Sequence, residues 1–383
     1  MGLGQGSLEG VVITVTDGPL FGGVYEGRRV FLTGHTGFKG SWLTFWLLNM
    51  GATVTGYSLE PPTEPSLFEE LRLADKIDHH FGDVRDLEHL QNVMSAAQPE
   101  IVLHLAAQPL VRLSYDEPVE TFETNVMGSV NLLEAARHVP SVRAIVNVTS
   151  DKCYENREWE YAYRENDSMG GHDPYSASKG AAEIVTAAYR RSFFHDADSA
   201  TVATGRAGNV IGGGDWALDR IVPDCVRALC AGEAIQVRNP DAVRPWQHVL
   251  EPLSGYLWLA SRLFVEGHSA EGSWNFGPLS GGNLTVAAVV ERVLAVWGSG
   301  EWAGPKPGTS GVHEARFLKL DCSKAADVLG WRPVWSADEA VRRTTLWYGR
   351  RHEGESAVSL TAECLRDYVE LAREQGVAWS ASS

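Results

Sequence analysis

The chain has 383 residues, of which 44% are apolar and 21% charged, a composition that excludes disordered and fibrous proteins. Its 49 acidic residues against 33 basic ones give a net charge of −16, which argues against binding to the phosphate backbone of nucleic acids. No apolar run approaches the ~20 residues that span a bilayer, so we expect no membrane partner.

Residues 1–22 are rich in glycine, and we expect them to form a loosely ordered extension. From residue 23 to residue 206, predicted strands and helices alternate at the spacing of β-α-β units. The predicted strands cover residues 29–33, 53–57, 101–104, 143–149 and 200–204, and the predicted helices cover 38–50, 86–98, 120–138 and 174–194. The strands are apolar on both faces, as in a parallel sheet with helices on both sides. The pattern predicts an α/β, Rossmann-type doubly wound domain over 23–206.

After residue 206 this alternation loosens. We predict loops at 212–216, 239–246 and 305–311, and one more strand end at 273–277. We expect residues 246–277 to return to the first domain. The remaining residues, 207–245 and 278–383, are expected to form a smaller C-terminal substrate-binding lobe.

A glycine-rich loop follows the first predicted strand and opens the first predicted helix. Glycines in such a loop permit a tight turn, and the N–H groups at the start of the helix bind a pyrophosphate. The spacing is G-x-x-G-x-x-G rather than the commoner G-x-G-x-x-G. We interpret the loop as a cofactor site made by Gly34, His35, Thr36, Gly37, Phe38, Lys39 and Gly40.

The second predicted strand bears on the choice between NAD and NADP. No acidic residue ends that strand to bind ribose hydroxyls, and no arginine follows to bind a 2′-phosphate. NAD is favoured, with Ser58 as a substitute ribose contact. Asp83 is either a contact of the adenine amino group or the N-cap of the helix that starts near residue 86.

Tyr175 and Lys179 lie one helical turn apart on the same predicted helix face. A phenol has a reference pKa of ~10, so it needs a neighbouring positive charge to act as a base near neutral pH. The Lys179 ammonium and a nicotinamide cation supply that charge. The two residues follow the glycine loop about 140 residues later in the chain, and the two motifs together are a stronger signal than either alone.

Further polar residues follow the predicted strands, at the sheet edge where ligands bind in open α/β folds. Thr149 and Ser150 offer hydroxyl groups, and Asp151 with Lys152 is either an acid–base pair or a surface turn with a salt bridge. The small residues at 105–108 permit close approach of a cofactor or simply pack. Asn125 either bonds the backbone where its helix is perturbed or faces solvent.

Three arginines, Arg206, Arg220 and Arg244, are candidates to neutralise a diphosphate, although any one of them could be an ordinary surface residue. The twelve histidines show no metal-binding spacing, so we expect no metal. The five cysteines are odd in number and lack a C-x-x-C spacing, which indicates reduced thiols in a cytoplasmic protein.

Together these motifs resemble the extended short-chain dehydrogenase/reductase family over residues 25–350. Longer stretches are similar to one branch of that family, the CDP-D-glucose 4,6-dehydratases. Those stretches cover residues 35–40, 108–115, 149–154, 206–216, 244–249 and 318–323. The resemblance implies a hydro-lyase with a resident NAD and a nucleotide-sugar substrate, CDP-D-glucose.

The resemblance also implies the roles of individual residues. Tyr175 removes the C4 hydroxyl proton while NAD⁺ oxidises C4, Asp151 protonates the departing C6 hydroxyl, and the hydride returns to C6 to give CDP-4-keto-6-deoxy-D-glucose. Ser150, Lys152 and Lys179 complete the implied catalytic set. Besides the glycine loop, the implied cofactor contacts are Ser58, Asp83, Val84, Leu105, Ala106, Ala107, Gln108, Asn125, Thr149, Tyr175, Lys179 and Arg206. The implied substrate contacts are Gln108, Ser114, Asn209, Arg220 and Arg244.

One position departs from the wider group of sugar-nucleotide 4,6-dehydratases, many of which have Asp-Glu where this chain has Asp151-Lys152. The charged ammonium of a lysine cannot accept the proton from C5 of the sugar. Lys152 is therefore either a neutral base or a stabiliser of the enolate that forms when this proton leaves. A 4-epimerase, a decarboxylase or a dehydratase of another nucleotide sugar shares the loop and the Tyr175–Lys179 pair. A catalytically silent NAD sensor on this fold does not need that pair.

The resemblance further implies a homodimer, because in this family helices equivalent to 120–138 and 174–194 pair across a two-fold axis into a four-helix bundle. Both helices carry apolar residues on more than one face. The apolar positions that predict this contact are Val126, Val130, Leu133, Ile184, Val185 and Tyr189.

Overall fold

A computed structural model describes residues 18–278, 282–305 and 317–381. The strands of its central sheet are β1 (Arg29–Thr33), β2 (Thr53–Ser58), β3 (Asp78–Phe81), β4 (Ile101–His104), β5 (Ala144–Val148), β6 (Thr201–Ala207) and β11 (Gly272–Phe276). Short strands outside that sheet are β7 (Val210–Ile211), β8 (Ile235–Gln236), β9 (Val243–Pro245), β10 (Gln247–His248), β12 (Asn283–Thr285) and β13 (Trp302–Ala303).

Helices cover both faces of the sheet and build the second lobe. They are α1 (Phe38–Asn49), α2 (Leu67–Glu70), α3 (Leu87–Ala97), α4 (Val111–Asp116), α5 (Pro118–Phe122), α6 (Gly128–Arg137), α7 (Pro174–Phe193), α8 (Ile221–Ala231), α9 (Leu250–Glu266), α10 (Val286–Trp297), α11 (Ser323–Val328), α12 (Ala337–His352) and α13 (Ala357–Glu374). A π-helical turn, Glu123–Met127, joins α5 to α6 within the predicted long helix. None of the described helices is both long enough and apolar enough to cross a membrane.

The central sheet has the strand order β3-β2-β1-β4-β5-β6-β11, and every neighbouring pair is parallel. This is a Rossmann-type doubly wound α/β sheet with one added strand, as the sequence predicts. The direction of the connections reverses between β1 and β4. The carboxyl ends of these two strands therefore open a crevice for a ligand, with β5 and β6 beside it.

Alternate residues of each strand enter two apolar layers, because side chains of a strand point to opposite faces. Phe31, Val102 and Ile145 pack in one layer under α3, α6 and α7. Leu32 and Val146 pack in the other layer, together with α1 and α9. Both layers are buried, which explains why the strands read as continuous apolar runs.

The structure corrects several expectations about the chain outside this sheet. Leu20 and Phe21 are buried, and Phe21 stacks on Trp379 with a centroid distance of 5.1 Å, so residues 18–22 are not loosely ordered. The predicted loop at 239–246 contains β9, which pairs with β12. Residues 1–17, and residues 306–311 of the loop expected at 305–311, lie outside the described part of the chain.

The C-terminal helix α13 also differs from expectation. The sequence assigns it to the substrate-binding lobe, yet Tyr368 of α13 meets Trp46 of α1 edge-to-face, with ring centroids 6.0 Å apart. Tyr368 also stacks on Trp379 at 5.7 Å. These aromatic contacts place the end of the chain against the first domain.

Candidate active site

The glycine loop lies at the switch point and has the shape of a pyrophosphate cradle. Gly34 has a φ of +75°, and a Cβ there would stand 2.7 Å from the Ala106 nitrogen. A Cβ on Gly40 would stand 2.0 Å from the Gly34 carbonyl oxygen. At Gly37 the nearest protein atom to an added Cβ is 3.4 Å away, so this side of the loop is open. The loop thus requires glycine at two positions and leaves space at the third.

The chemistry of this cradle also fits a dinucleotide such as NAD. Gly37 is the N-cap of α1, and no side chain caps the helix there. The first turn of α1 contains no acidic residue. The free N–H groups and the positive end of the helix dipole therefore face the open side. Ser58 ends β2 beside the loop, with its hydroxyl 2.8 Å from that of Thr36. The Thr36 hydroxyl also donates to the Leu59 carbonyl.

His35 is part of this loop, but its imidazole points away from the cradle. Its Nε2 lies 2.6 Å from Nδ1 of His79, and its ring packs against Phe68. A Cβ on Gly56 would meet the His35 ring at 2.6 Å. Burial lowers the pKa of His35 to about 3, so the ring stays neutral. The prediction of His35 as a cofactor contact is therefore corrected for the side chain, and only its backbone belongs to the loop.

Asp83 follows β3, and its carboxylate accepts hydrogen bonds from the backbone and guanidinium of Arg85. It is not the N-cap of α3, because Asp86 caps that helix by accepting from the backbone N–H of His89. Val84 is buried against Gly128. The adenine contact at Asp83 stays a prediction.

Asn125 links the connection between β4 and α4 to α7, the helix that carries Tyr175 and Lys179. Its Oδ1 accepts from the Gln108 backbone N–H at 2.9 Å, and its Nδ2 donates to the Ser178 hydroxyl at 2.8 Å. Ser178 in turn donates to the Tyr175 carbonyl. Asn125 lies in the π-helical turn, so the first of its two predicted roles, bonding backbone at a perturbed helix, is the one observed, and the solvent-facing role is wrong.

Gln108 uses its own side chain locally, donating to the Leu110 carbonyl and to the Thr121 hydroxyl. The preceding residues Leu105 and Ala106 donate their backbone N–H groups to the Thr33 hydroxyl at the end of β1. Ala107 lies between these segments and is partly exposed at the crevice. Ala106 and Ala107 therefore lie at the switch point, and their contact with a cofactor stays a prediction.

The end of β5 is followed by a buried acidic group, Asp151. Ser150 is the N-cap of a short 3₁₀ turn, Asp151–Cys153, and its hydroxyl donates to Asp151 Oδ1 at 3.1 Å. Asp151 is 3% exposed, and its Oδ2 has no hydrogen-bond partner among the described residues. Burial raises the pKa of Asp151, against the opposing charge of Lys152. A carboxyl group with a raised pKa is better suited to donate a proton than one in water.

Tyr175 and Lys179 are buried on the same side of α7, whose N-cap is Asp173. Burial raises the pKa of Tyr175 to about 12, and a hydrogen bond with the Ser150 side chain works against this rise. Burial lowers the pKa of Lys179 to about 8. In both groups burial disfavours the charged form, which for Tyr175 is the phenolate and for Lys179 the ammonium. The structure thus joins Ser150, Asp151, Tyr175 and Lys179 in one site.

The second lobe supplies positive charge to this site. Arg220 binds Asp215 at 2.7 Å and lies near enough to Tyr175 for its charge to affect that phenol. Arg244 is buried and donates to the Val243 carbonyl, and its charge lowers the pKa of Asp151. Asn209 is partly exposed at the start of β7. These residues fit an anionic substrate.

Two other predicted contacts differ. Ser114 is fully buried in α4 and donates to the Val111 carbonyl at 2.6 Å, so it offers no free hydroxyl to a substrate. Lys39, predicted with the cofactor loop, lies among the charges of Arg220, Lys179 and Asp151. Burial lowers the pKa of Lys39 to about 8. Its side chain therefore belongs to the catalytic centre as much as to the loop.

Arg206 and Thr149 require the largest correction. Arg206 is 2% exposed and binds both carboxylate oxygens of Glu183, with 2.8 Å and 2.7 Å contacts. Its third nitrogen donates to the Tyr154 hydroxyl and the Glu165 carbonyl. The Thr149 hydroxyl donates to Glu183 at 2.5 Å. Neither side chain is free for a cofactor, because the buried Glu183 carboxylate takes both.

A family model described as GDP-mannose 4,6 dehydratase matches residues 31–263. The chain belongs to this family. The CDP-glucose 4,6-dehydratase of Salmonella typhimurium is 51% identical over 350 residues, which cover 90% of this chain and 97% of that protein. The dTDP-glucose 4,6-dehydratase of Streptomyces antibioticus is 29% identical and covers 84% of this chain and 92% of its own length.

Solved structures share the fold of this 4,6-dehydratase family. DesIV, a dTDP-glucose 4,6-dehydratase of Streptomyces venezuelae solved with NAD bound, has a TM-score of 0.70 and 25% identity. It covers 85% of this chain and 98% of its own. A UDP-glucose 4-epimerase of Thermotoga maritima has a TM-score of 0.70 at 22% identity, covering 84% of this chain and 99% of its own, which shows that dehydratases and epimerases share one architecture.

Sequence reasoning missed two acidic residues of this 4,6-dehydratase site. Glu183 follows Lys179 by four residues, just as Lys179 follows Tyr175, so the three share one helix face. That spacing was the available signal. Asp215 lies in the predicted glycine loop at 212–216, where nothing in the sequence indicates that it binds Arg220.

Proposed function

We propose that this chain is an NAD-dependent CDP-glucose 4,6-dehydratase, which converts CDP-D-glucose to CDP-4-keto-6-deoxy-D-glucose and water. The 51% identity to the Salmonella enzyme over nearly the whole chain supports the substrate. The site observation that carries the reaction type is the buried Asp151 carboxyl beside Tyr175, with an oxygen that no described residue binds. A 4-epimerase needs the tyrosine but has no leaving hydroxyl to protonate.

The first step belongs to the α7 residues. NAD held by the glycine loop at residues 34–40 would supply the redox chemistry, as the acceptor and later the donor of the hydride exchanged with the sugar. Tyr175 starts as the phenolate, which the Lys179 ammonium stabilises, and becomes the neutral phenol when it takes the C4 hydroxyl proton. The Ser150 side chain bonds Tyr175 and so holds the phenol toward the substrate side of the crevice.

The elimination belongs to the β5 residues. Once C4 is a ketone, the C5 proton is acidic, and Asp151 donates its proton to the departing C6 hydroxyl. Lys152 is next to Asp151 on the 3₁₀ turn and partly exposed. It takes the C5 proton as a neutral amine, and the ammonium so formed stabilises the enolate. Arg220, Arg244 and Asn209 bind the substrate, with the two arginines on its diphosphate.

The activity is tested with the purified protein, NAD and a panel of nucleotide glucoses that differ in their base. Mass spectrometry is expected to show loss of one water from CDP-glucose and little change in the others. Loss of water from dTDP- or UDP-glucose instead would change the substrate. A product of unchanged mass with inverted C4 would identify an epimerase.

The Asp151→Asn variant separates oxidation from elimination. Asparagine keeps the size of the side chain but cannot donate the proton, so product formation is expected to fall about 10²–10⁴-fold. Oxidation at C4 does not need that proton, and the near-ultraviolet absorbance of NADH is expected on mixing with CDP-glucose. If the variant makes product at the parental rate with an unchanged melting curve, Asp151 is not the acid.

A homodimer through α5, the π-helical turn and α7 is also proposed. Val119 and Ile184 are 69% and 60% exposed, and Phe122 and Met127 are exposed beside them. Leu133, which we predicted on this face, is instead fully buried in the protomer core, and Val185 and Tyr189 pack against that core. Sedimentation equilibrium is expected to give twice the 41.8 kDa chain mass. A monomer at micromolar concentration would contradict the dimer.

A cytoplasmic location is proposed as well. All five cysteines lie in the described part of the chain as free thiols, and four of them are buried. A reducing compartment keeps such thiols unpaired. Fractionation of the source cells, with antibody detection of the chain, tests this location.

A further inference from the structure

Glu183 is a buried residue that binds side chains from several neighbouring strands. It lies on α7 four residues after Lys179, and its side chain is 3% exposed. Its carboxylate accepts hydrogen bonds from side chains of three neighbouring segments of the sheet. The donors are Thr149 after β5, Thr204 and Arg206 of β6, and Ser273 of β11.

The two oxygens of this carboxylate face different parts of the molecule. Oε1 accepts from the Thr149 hydroxyl, which directly precedes Ser150 and Asp151 in the chain. Oε2 accepts from the Thr204 hydroxyl at 2.7 Å and from Ser273 at 3.1 Å. Arg206 binds both oxygens and balances the charge. One oxygen is therefore tied to the catalytic strand end and the other to the sheet farther from it.

This arrangement matters because the two halves of the catalytic set lie on different elements. Tyr175 and Lys179 are carried by α7, whereas Ser150 and Asp151 are carried by the turn after β5. The Thr149–Glu183 hydrogen bond joins α7 to the end of β5, directly before Ser150. A charge-assisted hydrogen bond in a buried setting is short and directional, so it fixes the spacing of the elements that it joins.

We propose that Glu183 is a positioning residue, which through the Thr149 hydroxyl sets the catalytic turn of Ser150 and Asp151 against the helix of Tyr175 and Lys179. This inference rests on the proposed dehydratase function for its kinetic readout. It gives Arg206 the task of keeping Glu183 ionised, in place of the cofactor contact that the sequence predicted. Glu183 does not touch the reacting atoms.

Two threonines that bind the same carboxylate provide a matched test. Thr149→Val and Thr204→Val each remove one hydroxyl bond to Glu183 from a buried site and keep the shape of the side chain. Thr149→Val is expected to lower kcat about 10–100-fold with little change in KM, because a small misplacement of catalytic groups is costly. Thr204→Val is expected to keep kcat within about twofold. Thr149→Ser is expected to restore most of the parental kcat.

Hydrogen exchange supplies a readout that needs neither substrate nor cofactor. The backbone N–H groups of Lys152 and Cys153 bond to Ser150 within the catalytic turn. Thr149→Val is expected to speed their exchange about 10-fold, and Thr204→Val is expected to leave it unchanged. Thermal denaturation of both variants checks that they lose similar stability.

The proposal is overturned if the two valine variants lose kcat equally, if Thr149→Val keeps the parental kcat, or if exchange in the turn does not change. If either valine variant fails to fold, Thr149→Ala and Thr204→Ala give the same comparison. An inactive parent enzyme with the expected exchange difference would remove the proposed function and keep the positioning role. An active parent with no difference between the threonines would do the reverse.

Discussion

Two clusters of oppositely charged residues differ in exposure: one includes Glu183 of α7, and the other includes Arg220, whose charge affects Tyr175. The inner cluster is Arg206 with Glu183, both with side chains 3% exposed. The outer cluster lies in the second lobe and on α4. It consists of Arg112, Asp215, Asp219, Arg220 and Arg238, paired as Arg220–Asp215, Arg238–Asp219 and Arg112–Asp219. The two side chains that flank Asp219 are 39% and 44% exposed.

This difference indicates two uses of the same chemistry. The inner pair has no solvent to exchange with, and every oxygen of its carboxylate is hydrogen-bonded, so it holds a fixed geometry. The two Asp219 pairs are screened by water and contribute little to stability, so their arginines can leave the carboxylate for a substrate phosphate. In the third pair Asp215 is buried, but the Arg220 side chain is 32% exposed. The inner pair is buried and its hydrogen bonds are saturated, whereas the three arginines of the outer pairs are partly exposed.

The largest expected effect belongs to Tyr175, which is in neither cluster. Tyr175→Phe keeps the ring that packs in α7 and removes only the group that takes the C4 proton. We expect kcat to fall about 10²–10⁴-fold with an unchanged melting temperature and unchanged NAD binding. Steady-state kinetics and calorimetry measure these quantities. A variant with parental turnover would exclude Tyr175 as the base.

Replacing one arginine of each cluster by methionine tests whether the two clusters contribute differently to the free energy of unfolding. Arg206→Met leaves the Glu183 charge buried without its partner, and we expect a loss of about 3–5 kcal/mol in the free energy of unfolding. Arg220→Met removes the charged partner of Asp215, whose side chain is 5% exposed and keeps a hydrogen bond from the Ala217 N–H, and we expect a smaller loss of about 1–3 kcal/mol. KM for CDP-glucose is expected to rise about tenfold or more in Arg220→Met. Equal destabilisation in urea denaturation would refute the distinction between the clusters.

The pH dependence reports on the inner cluster through Lys179. Burial lowers the pKa of Lys179 from 10.5 to about 8, while Cys153 and Glu183 oppose this shift. The unfolded chain binds more protons between these two values, so this residue adds stability as pH rises from about 8 to about 10.5 and loses that contribution as pH falls through about 8.

Activity is expected to move in the opposite direction, because the Lys179 ammonium supports the Tyr175 phenolate. We expect kcat to fall as pH rises through about 8. Glu183→Gln removes a charge that raises the Lys179 pKa, so its alkaline limb is expected at lower pH than that of the parent. Profiles of kcat against pH for both proteins make this comparison. Coincident limbs would separate Glu183 from Lys179.

The smallest expected effect belongs to Asp219, which two arginines of the outer cluster share. Asp219 has a φ of +62°, which asparagine tolerates as well as aspartate. Asp219→Asn is therefore expected to change the free energy of unfolding by less than about 1 kcal/mol. It is expected to lower KM for CDP-glucose at low salt, because Arg112 and Arg238 lose a competing carboxylate. A KM that is unchanged at low salt would show that these arginines do not meet the substrate.

Much of the first domain could be predicted from local sequence. The strand over 101–104 and the helices starting at Phe38 and Pro174 lie where periodicity places them, because apolar residues repeat with the period of the element that they build. The glycine loop and the Tyr175–Lys179 spacing are local too, and they identified the two sides of the crevice. The second lobe was predicted only as a region of loops, since its strands are two or three residues long.

The sequence by itself determined which polar residues stand at the strand ends, since each follows its strand directly. Only the tertiary structure decided what they bind. Arg206 and Thr149 bind Glu183, His35 binds His79, and Asp151 keeps one buried oxygen without a partner among the described residues. The physical reason is that a buried polar group must find a partner, and the partner comes from a residue distant in the chain that only the packed fold brings within reach.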